Sequence, residues 1–247
     1  MEIRVKRSVS IHPEFKDKFM ELTLKASEAA KDIMGVEPHS FVNLTESPNR
    51  LDVIVYTDFE SMAQYEEVFL HKALLTNEFL DDAEDGLKMI HDNPRDEMFV
   101  RLKTDDFFMN RKGEYNIADM SAFRSDEKEK YRVERLFCVA PGRLKESMAF
   151  TFEQNEKYTK EFNRMPDYFC TRFASNRIGG STTYHDVDNC EKLPGIFAEF
   201  DRLVEEKHPG LLMRATEDMY LRRITEDMLG RKVLDEEFSE MILKKSA

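Results

Sequence analysis

Six residues of this 247-residue chain are of types that could do chemistry together: Arg135, Tyr168, Cys170, Arg172, Thr183 and His185. They lie on three stretches that alternate apolar and polar residues as strands do, and alternate side chains of a strand share a face. Tyr168, Cys170 and Arg172 have one parity on their stretch; Ser181, Thr183 and His185 share one on theirs. Paired as a hairpin, the two stretches would present all six on one side. Arg172 would bind or polarise a substrate oxygen, His185 would act as general acid or base, and Tyr168 and Thr183 would orient the substrate. Arg135 alternates in phase with Val133, Phe137 and Val139, so it is expected to point into the same space. Cys170 is a nucleophile candidate only through its shared face with His185; a small buried hydrophobe is its ordinary role. His185 and Arg172 are therefore the expected catalytic pair, with Arg135, Tyr168, Cys170 and Thr183 binding substrate.

Other chemistries fare worse. The six histidines do not cluster, and His185-Asp186-x-Asp188 is one short segment without a second contributor, so no metal site is expected. Ile178-Gly179-Gly180-Ser181 precedes a strand, whereas a phosphate loop needs its glycines before a helix. Cys138, Cys170 and Cys190 are odd in number and widely spaced, which supports neither disulfides nor a zinc knuckle. A net charge of −12 leaves no basic surplus for a nucleic-acid backbone. No stretch has the length of a membrane span, and the first residues alternate like a strand and not like a signal peptide, so a cytoplasmic protein is expected. His12, His91 and His208 sit at element ends near prolines and read as cap or loop residues. His39 falls on a strand and could line a cavity or be satisfied by a neighbour.

What must position the candidates is a repeated unit. At a shift of 128 residues Arg4-Val5-x-Arg7 matches Arg132-Val133-x-Arg135, Pro13 matches Pro141, Phe41 matches Phe169, and Tyr56-x-Asp58 matches Tyr184-x-Asp186. Later the shift becomes 121, where Met98-Phe99-Val100-Arg101 faces Met219-Tyr220-Leu221-Arg222. The first half reads as strand 2–11, helix 14–34, strands 38–46 and 51–59, helix 60–91 and strand 96–103. The second reads as strand 131–139, helix 142–163, strands 167–175 and 181–187, helix 190–207 and strand 217–225. Each is βαββαβ, the ferredoxin-like order. The expected fold class is α+β, two tandem ferredoxin-like βαββαβ units forming an intramolecular pseudo-dimeric α/β barrel. Residues 1–104 would be the first repeat, 105–129 a linker, 130–226 the second repeat and 227–247 a C-terminal amphipathic helix. That helix would pack on its own chain or join a homo-oligomer.

The stretch Asp58-Phe59-Glu60-Ser61-Met62-x-x-Tyr65, with Leu74-Leu75-Thr76-Asn77-Glu78-Phe79 after it, resembles NIPSNAP-type and antibiotic-biosynthesis-monooxygenase-type domains of the dimeric α/β-barrel superfamily. The resemblance covers about four fifths of the chain, in soft patterns and not catalytic signatures. It implies a small-molecule enzyme without a dissociable cofactor: a monooxygenase, isomerase or cyclase acting on an aromatic or polyketide-like substrate. A noncatalytic ligand-binding or assembly module is the alternative. Haem handling is a further one, because haem-degrading relatives ligate iron through a helix histidine and His71 lies on a helix; no second haem cue accompanies it.

The two halves differ in one respect. With a turn at Pro48-Asn49, Val42 faces Val55 and Leu44 faces Val53, while Phe41 faces Tyr56 and Asn43 faces Ile54 on the other side. On passing to the second half, Ser40, Val42, Leu44, Val53, Val55 and Thr57 become Tyr168, Cys170, Arg172, Ser181, Thr183 and His185. Polar groups on such a face cost roughly 1–3 kcal/mol each if buried unpartnered. Either the second half holds a hydrated ligand pocket, or its hairpin protrudes into solvent.

Overall fold

The computed structural model describes residues 3–44, 51–68, 88–92, 94–102, 129–147, 149–151, 153–154, 167–174, 180–214 and 216–230; at 100–102, 167–174, 180 and 181 it describes the backbone. The chain is α+β and divides into two compact units, Met1–Val100 with Leu221–Ser239, and Arg101–Tyr220 with Glu240–Ala247.

In the first unit, β1 (Ile3–Ile11) sits between β3 (Leu51–Phe59) and β4 (Arg95–Leu102), and β3 pairs with β2 (His39–Asn43); every pairing is antiparallel. Residues 221–223 of β8 (Glu217–Arg223) add to β2. The alternation of β1 explains its placement. Ile3, Val5, Val9 and Ile11 are all buried on one face. Val9 and Ile11 pack with Met20 of α1 (Lys16–Met34), Val42 and Val53, while Ile3 and Val5 pack with Phe59, Val36 and Val68. Pro13 opens a short 3-10 turn, Pro13–Phe15, so α1 begins two residues later than the spacing of Phe15, Phe19 and Leu22 suggests. It ends at Gly35, whose φ of 64° lets its N–H reach the Lys31 carbonyl at 3.1 Å.

In the second unit, β5 (Tyr131–Cys138) pairs antiparallel with β7 (Gly180–Val187), and β6 (Asp167–Ala174) pairs with the other side of β7. Residues 144–147 are helical, and α2 (Leu193–Lys207) follows β7, with a proline in its first turn. Phe137, Val139, Phe150, Val204 and Leu211 form the core, and the Phe200 ring stands 5.3 Å from Phe150 and 5.5 Å from Phe137.

The β2–β3 register departs from expectation by two residues. His39 lies opposite Tyr56, Ser40 opposite Val55, Phe41 opposite Ile54 and Val42 opposite Val53. The turn at 45–50 lies outside the described residues. A two-residue slip leaves every side chain on its expected face, because faces depend on parity alone. Phe41 and Tyr56, no longer directly opposed, meet edge-to-face at 5.7 Å. The second hairpin has the same register: Asp167, Tyr168 and Phe169 oppose Tyr184, Thr183 and Thr182.

Each unit also carries the same internal ion pair. Arg4 grips Asp58 through Nε and Nη2, both at 2.6 Å, over the Tyr56 ring. Arg132 grips Asp186 at 2.6 and 2.7 Å over the Tyr184 ring. Asp186 therefore anchors β7 to β5. The expected helix at 227–247 opens instead as a 3-10 turn, Glu226–Met228; Met228 and Leu229 pack into the first unit's core, and residues 231–247 lie outside the described residues.

Candidate functional site

β5 and β7 present two faces of opposite use. Arg132 and Glu134 share a face with Tyr184 and Asp186; Val133, Arg135 and Phe137 share the other with Thr183 and His185. Arg135 lies directly opposite Thr183, and Val133 opposite His185. Beside this second face is a cavity of about 190 Å³ lined by Arg135, Phe137, Thr183, His185 and, from α2, Gly195, Phe197 and Phe200, with Glu199 also on its wall. Three of the six expected residues, Arg135, Thr183 and His185, thus come together, and all three are buried. Tyr168, Cys170 and Arg172 lie on β6, where the backbone alone is described; the register sets Tyr168 across from Thr183.

His185 is 6% exposed. Its Nε2 stands 3.0 Å from the Thr183 hydroxyl, and its ring meets Phe197 edge-on at 5.0 Å. Burial, reinforced by the Arg135 cation and only partly opposed by Asp186, pushes its pKa down to about 3. The imidazole is therefore neutral at neutral pH.

Arg135 is 1% exposed and fully engaged along one edge. Nη2 donates to Asp201 at 2.5 Å and to Thr216 at 2.8 Å, while Nε lies 3.1 Å from Asp218. The Asp218 contact is an ion pair without hydrogen-bond alignment, since neither Arg135 Nε nor Asp218 Oδ1 has a hydrogen-bond partner among the described residues. The flat face of the guanidinium stacks 4.3 Å from the Phe197 centroid. Burial raises the Asp218 pKa; Arg135 opposes that shift and Asp201 adds to it. Tyr220 is likewise pushed up to about 12, chiefly by burial.

Asp201, Thr216, Asp218 and the α2 phenylalanines are the residues that sequence reasoning missed. A signal for Asp201 exists: Phe197, Phe200, Asp201 and Val204 follow helical spacing, and an aspartate inside an otherwise apolar stripe calls for a buried cation.

Four of the other five histidines have local partners. His208 caps α2, with its Nδ1 2.8 Å from Glu146, which Arg143 also grips in bidentate fashion. His12 and His91 lie against each other with ring centroids 5.1 Å apart, and His39 Nδ1 is 3.3 Å from Arg223. His71 lies outside the described residues. His185 and Asp186 point to opposite faces of β7, so the His185-Asp186-x-Asp188 segment does not converge on one ion. Among the described residues no group of three or more histidine, cysteine or acidic side chains is placed to hold a metal. Cys138 and Cys190 are free buried thiols, and burial pushes Cys190 up to about 12. No described helix is long and apolar enough to cross a membrane.

No protein-family model matches the chain, and no curated protein sequence does. Solved structures do match in fold. A candidate monooxygenase from Fusobacterium nucleatum aligns with a TM-score of 0.62 at 8% identity, over 91% of this chain and 93% of its own. An anthrone oxidase-like protein aligns at 0.51 and 11% identity, over 91% and 92%. A chlorite dismutase from Candidatus Nitrospira defluvii, solved with imidazole, aligns at 0.56 and 8% identity, over 92% and 93%. At these identities the likeness is one of fold, that of the ferredoxin-like α/β-barrel class.

Proposed function

We propose that this chain is a tandem duplication of a ferredoxin-like unit, closed as a pseudo-dimeric α/β barrel, and that its second unit binds a small organic molecule in the cavity between β5, β7 and α2. The equal registers of the two hairpins and the repeated Arg–Asp–Tyr cluster support the duplication. The cavity carries the functional reading: a neutral imidazole, a hydroxyl and three phenylalanine rings border one space. Its volume of about 190 Å³ exceeds the roughly 150 Å³ that admits benzene.

The reaction class that fits is cofactor-independent monooxygenation, isomerisation or cyclisation of an aromatic or polyketide-like substrate. Phe137, Phe197 and Phe200 would hold the ring. Thr183 and His185 would fix a hydroxyl or carbonyl by hydrogen bonding. A conjugate acid at about 3 makes ligand-free His185 a weak base, so polarising and orienting the oxygen suits it better than taking its proton. Arg172 and Tyr168 would contribute from β6.

Haem suits this cavity poorly. A porphyrin exceeds the roughly 300 Å³ floor of drug-sized pockets, and the single imidazole on the wall already faces a threonine through Nε2. Native mass spectrometry of the purified chain tests the proposal by revealing a co-purified organic molecule. Gly195 supplies a blocking variant: a Cβ there meets nothing within 4 Å, so Gly195→Leu should fill the cavity and abolish binding without unfolding the protein. If His185→Ala, Arg172→Ala and Gly195→Leu all bind ligand and turn over like the parent, the proposal fails.

A further inference from the structure

Arginines beside a ligand cavity are ordinarily read as anion receptors, because the guanidinium fork matches a carboxylate. Here the geometry points the other way. A carboxylate binds in bidentate fashion to an edge of the guanidinium, and the Nε–Nη2 edge of Arg135 is already divided between Asp218 at 3.1 Å and Asp201 at 2.5 Å. Thr216 also accepts from Nη2 and passes its own proton to Asp201 at 3.1 Å, which closes that side. The π-face is covered by Phe197. Arg135 with its two aspartates sums to one negative charge. An anion entering the cavity would meet fixed negative groups and a cation whose Nε and Nη2 already face Asp218, Asp201 and Thr216. The nearest imidazole is neutral and contributes no compensating charge.

We propose that the cavity selects uncharged ring compounds and rejects their carboxylate counterparts, with Asp201 and Asp218 acting as specificity residues that withhold Arg135 from the ligand. This rests on the reading of the cavity as a ligand site. It gives Arg135 a positioning role: its charge adds to the burial that keeps His185 neutral, and its contact with Phe197 holds that wall. A substrate would therefore enter as a neutral phenol, ketone or lactone and acquire charge only as it reacts.

The test uses the full chain labelled in its histidine rings and two isosteric probes, p-cresol and p-toluate, at neutral pH. p-Cresol should shift the His185 ring signals and saturate. p-Toluate should bind roughly tenfold or more weakly. Replacing both carboxylates, Asp201→Asn with Asp218→Asn, should bring p-toluate affinity up to that of p-cresol. If the double variant does not fold, Asp218→Asn alone should give a smaller gain. Equal binding of the two probes by the parent would overturn the charge rule and leave the cavity reading standing. So would a folded variant that gains nothing for p-toluate. If neither probe moves the His185 signals, the cavity reading falls and the charge rule falls with it.

Discussion

Replacing His185 by glutamine should remove a specific part of the acid sensitivity of this protein. An unfolded histidine titrates near 6.5, while the buried, Arg135-facing imidazole titrates at about 3. Between those values the unfolded chain holds a proton that the native chain does not. Stability is therefore complete above pH 6.5 and is lost as pH falls toward 3, with a limiting slope of about 1.4 kcal/mol per pH unit. Between pH 7.5 and 5.5, above the range where ordinary carboxylates titrate, His185 should account for about 1 kcal/mol of lost stability. With an m-value of about 3 kcal/mol/M, that moves the urea midpoint down by about 0.3 M. The other five histidines are common to both proteins, so the difference between parent and His185→Gln isolates this one. Urea midpoints at the two pH values are the assay, and the variant's should move less by that amount. An identical acid shift in both proteins would mean that His185 accepts a proton in the folded state, which would refute the account of a neutral imidazole held by burial and by Arg135.

Four further outcomes follow from the same geometry. Arg135→Met should cost about 2 kcal/mol by calorimetry, less than a fully buried pair would, because the Asp201 and Asp218 side chains it strands keep 42% and 26% exposure; it should also raise the His185 pKa in a ring-signal titration. Gly195→Ala should stabilise the protein by about 0.5–1 kcal/mol, read as a higher Tm, since it replaces glycine in a helix where the added methyl meets open space. Gly35→Ala should do the reverse, costing about 1 kcal/mol, because its φ of 64° is left-handed. The Glu146 carboxyl, lowered to about 2 first by Arg143 and then by His208, should stay ionised in a carboxyl titration well below the usual range; what it contributes is present above the unfolded value of 4.5 and is lost as pH falls toward 2.

Much of this organisation was legible from the amino-acid pattern, and the places where it was not are instructive. β1, β3, β5 and β7 fall within a residue or so of their alternation, because a strand buried on one face leaves a period of two. The faces of the β2–β3 hairpin were legible while its register was not: parity is written in the pattern, but the length of the turn is not. Thr183 and His185 stood out because the face carrying Val53, Val55 and Thr57 in the first half turns polar in the second, and Arg135 because it alternates in phase with Val133 and Phe137. Asp201 and Asp218 went unread because each looks like one more acid in a chain with 49 of them. Asp201 has only its place on the apolar stripe of α2 to mark it, and for Asp218 the distance to Arg135, a tertiary fact, is what separates it from solvated surface.

Arg135 also shows why composition of the strands alone does not make the site. Its counterpart in the first unit, 128 residues earlier, is Arg7. Arg7 lies opposite Val55 as Arg135 lies opposite Thr183. Both arginines hold a carboxylate. Arg7 grips Asp96 at 2.7 and 2.6 Å, but its side chain remains 31% exposed. Arg135 instead lies beneath the Phe197 and Phe200 rings of α2 and takes two carboxylates where Arg7 has one. Desolvating a guanidinium costs several kcal/mol unless further partners meet it, so a ring-bearing helix over this arginine demands a second acid. The second acid supplies that partner and at the same time takes away the edge a ligand anion would use. A chain that kept Arg135 and α2 but lost Asp218 would therefore be expected to gain a carboxylate receptor, and the preference of the cavity for uncharged ligands follows from how the arginine is buried.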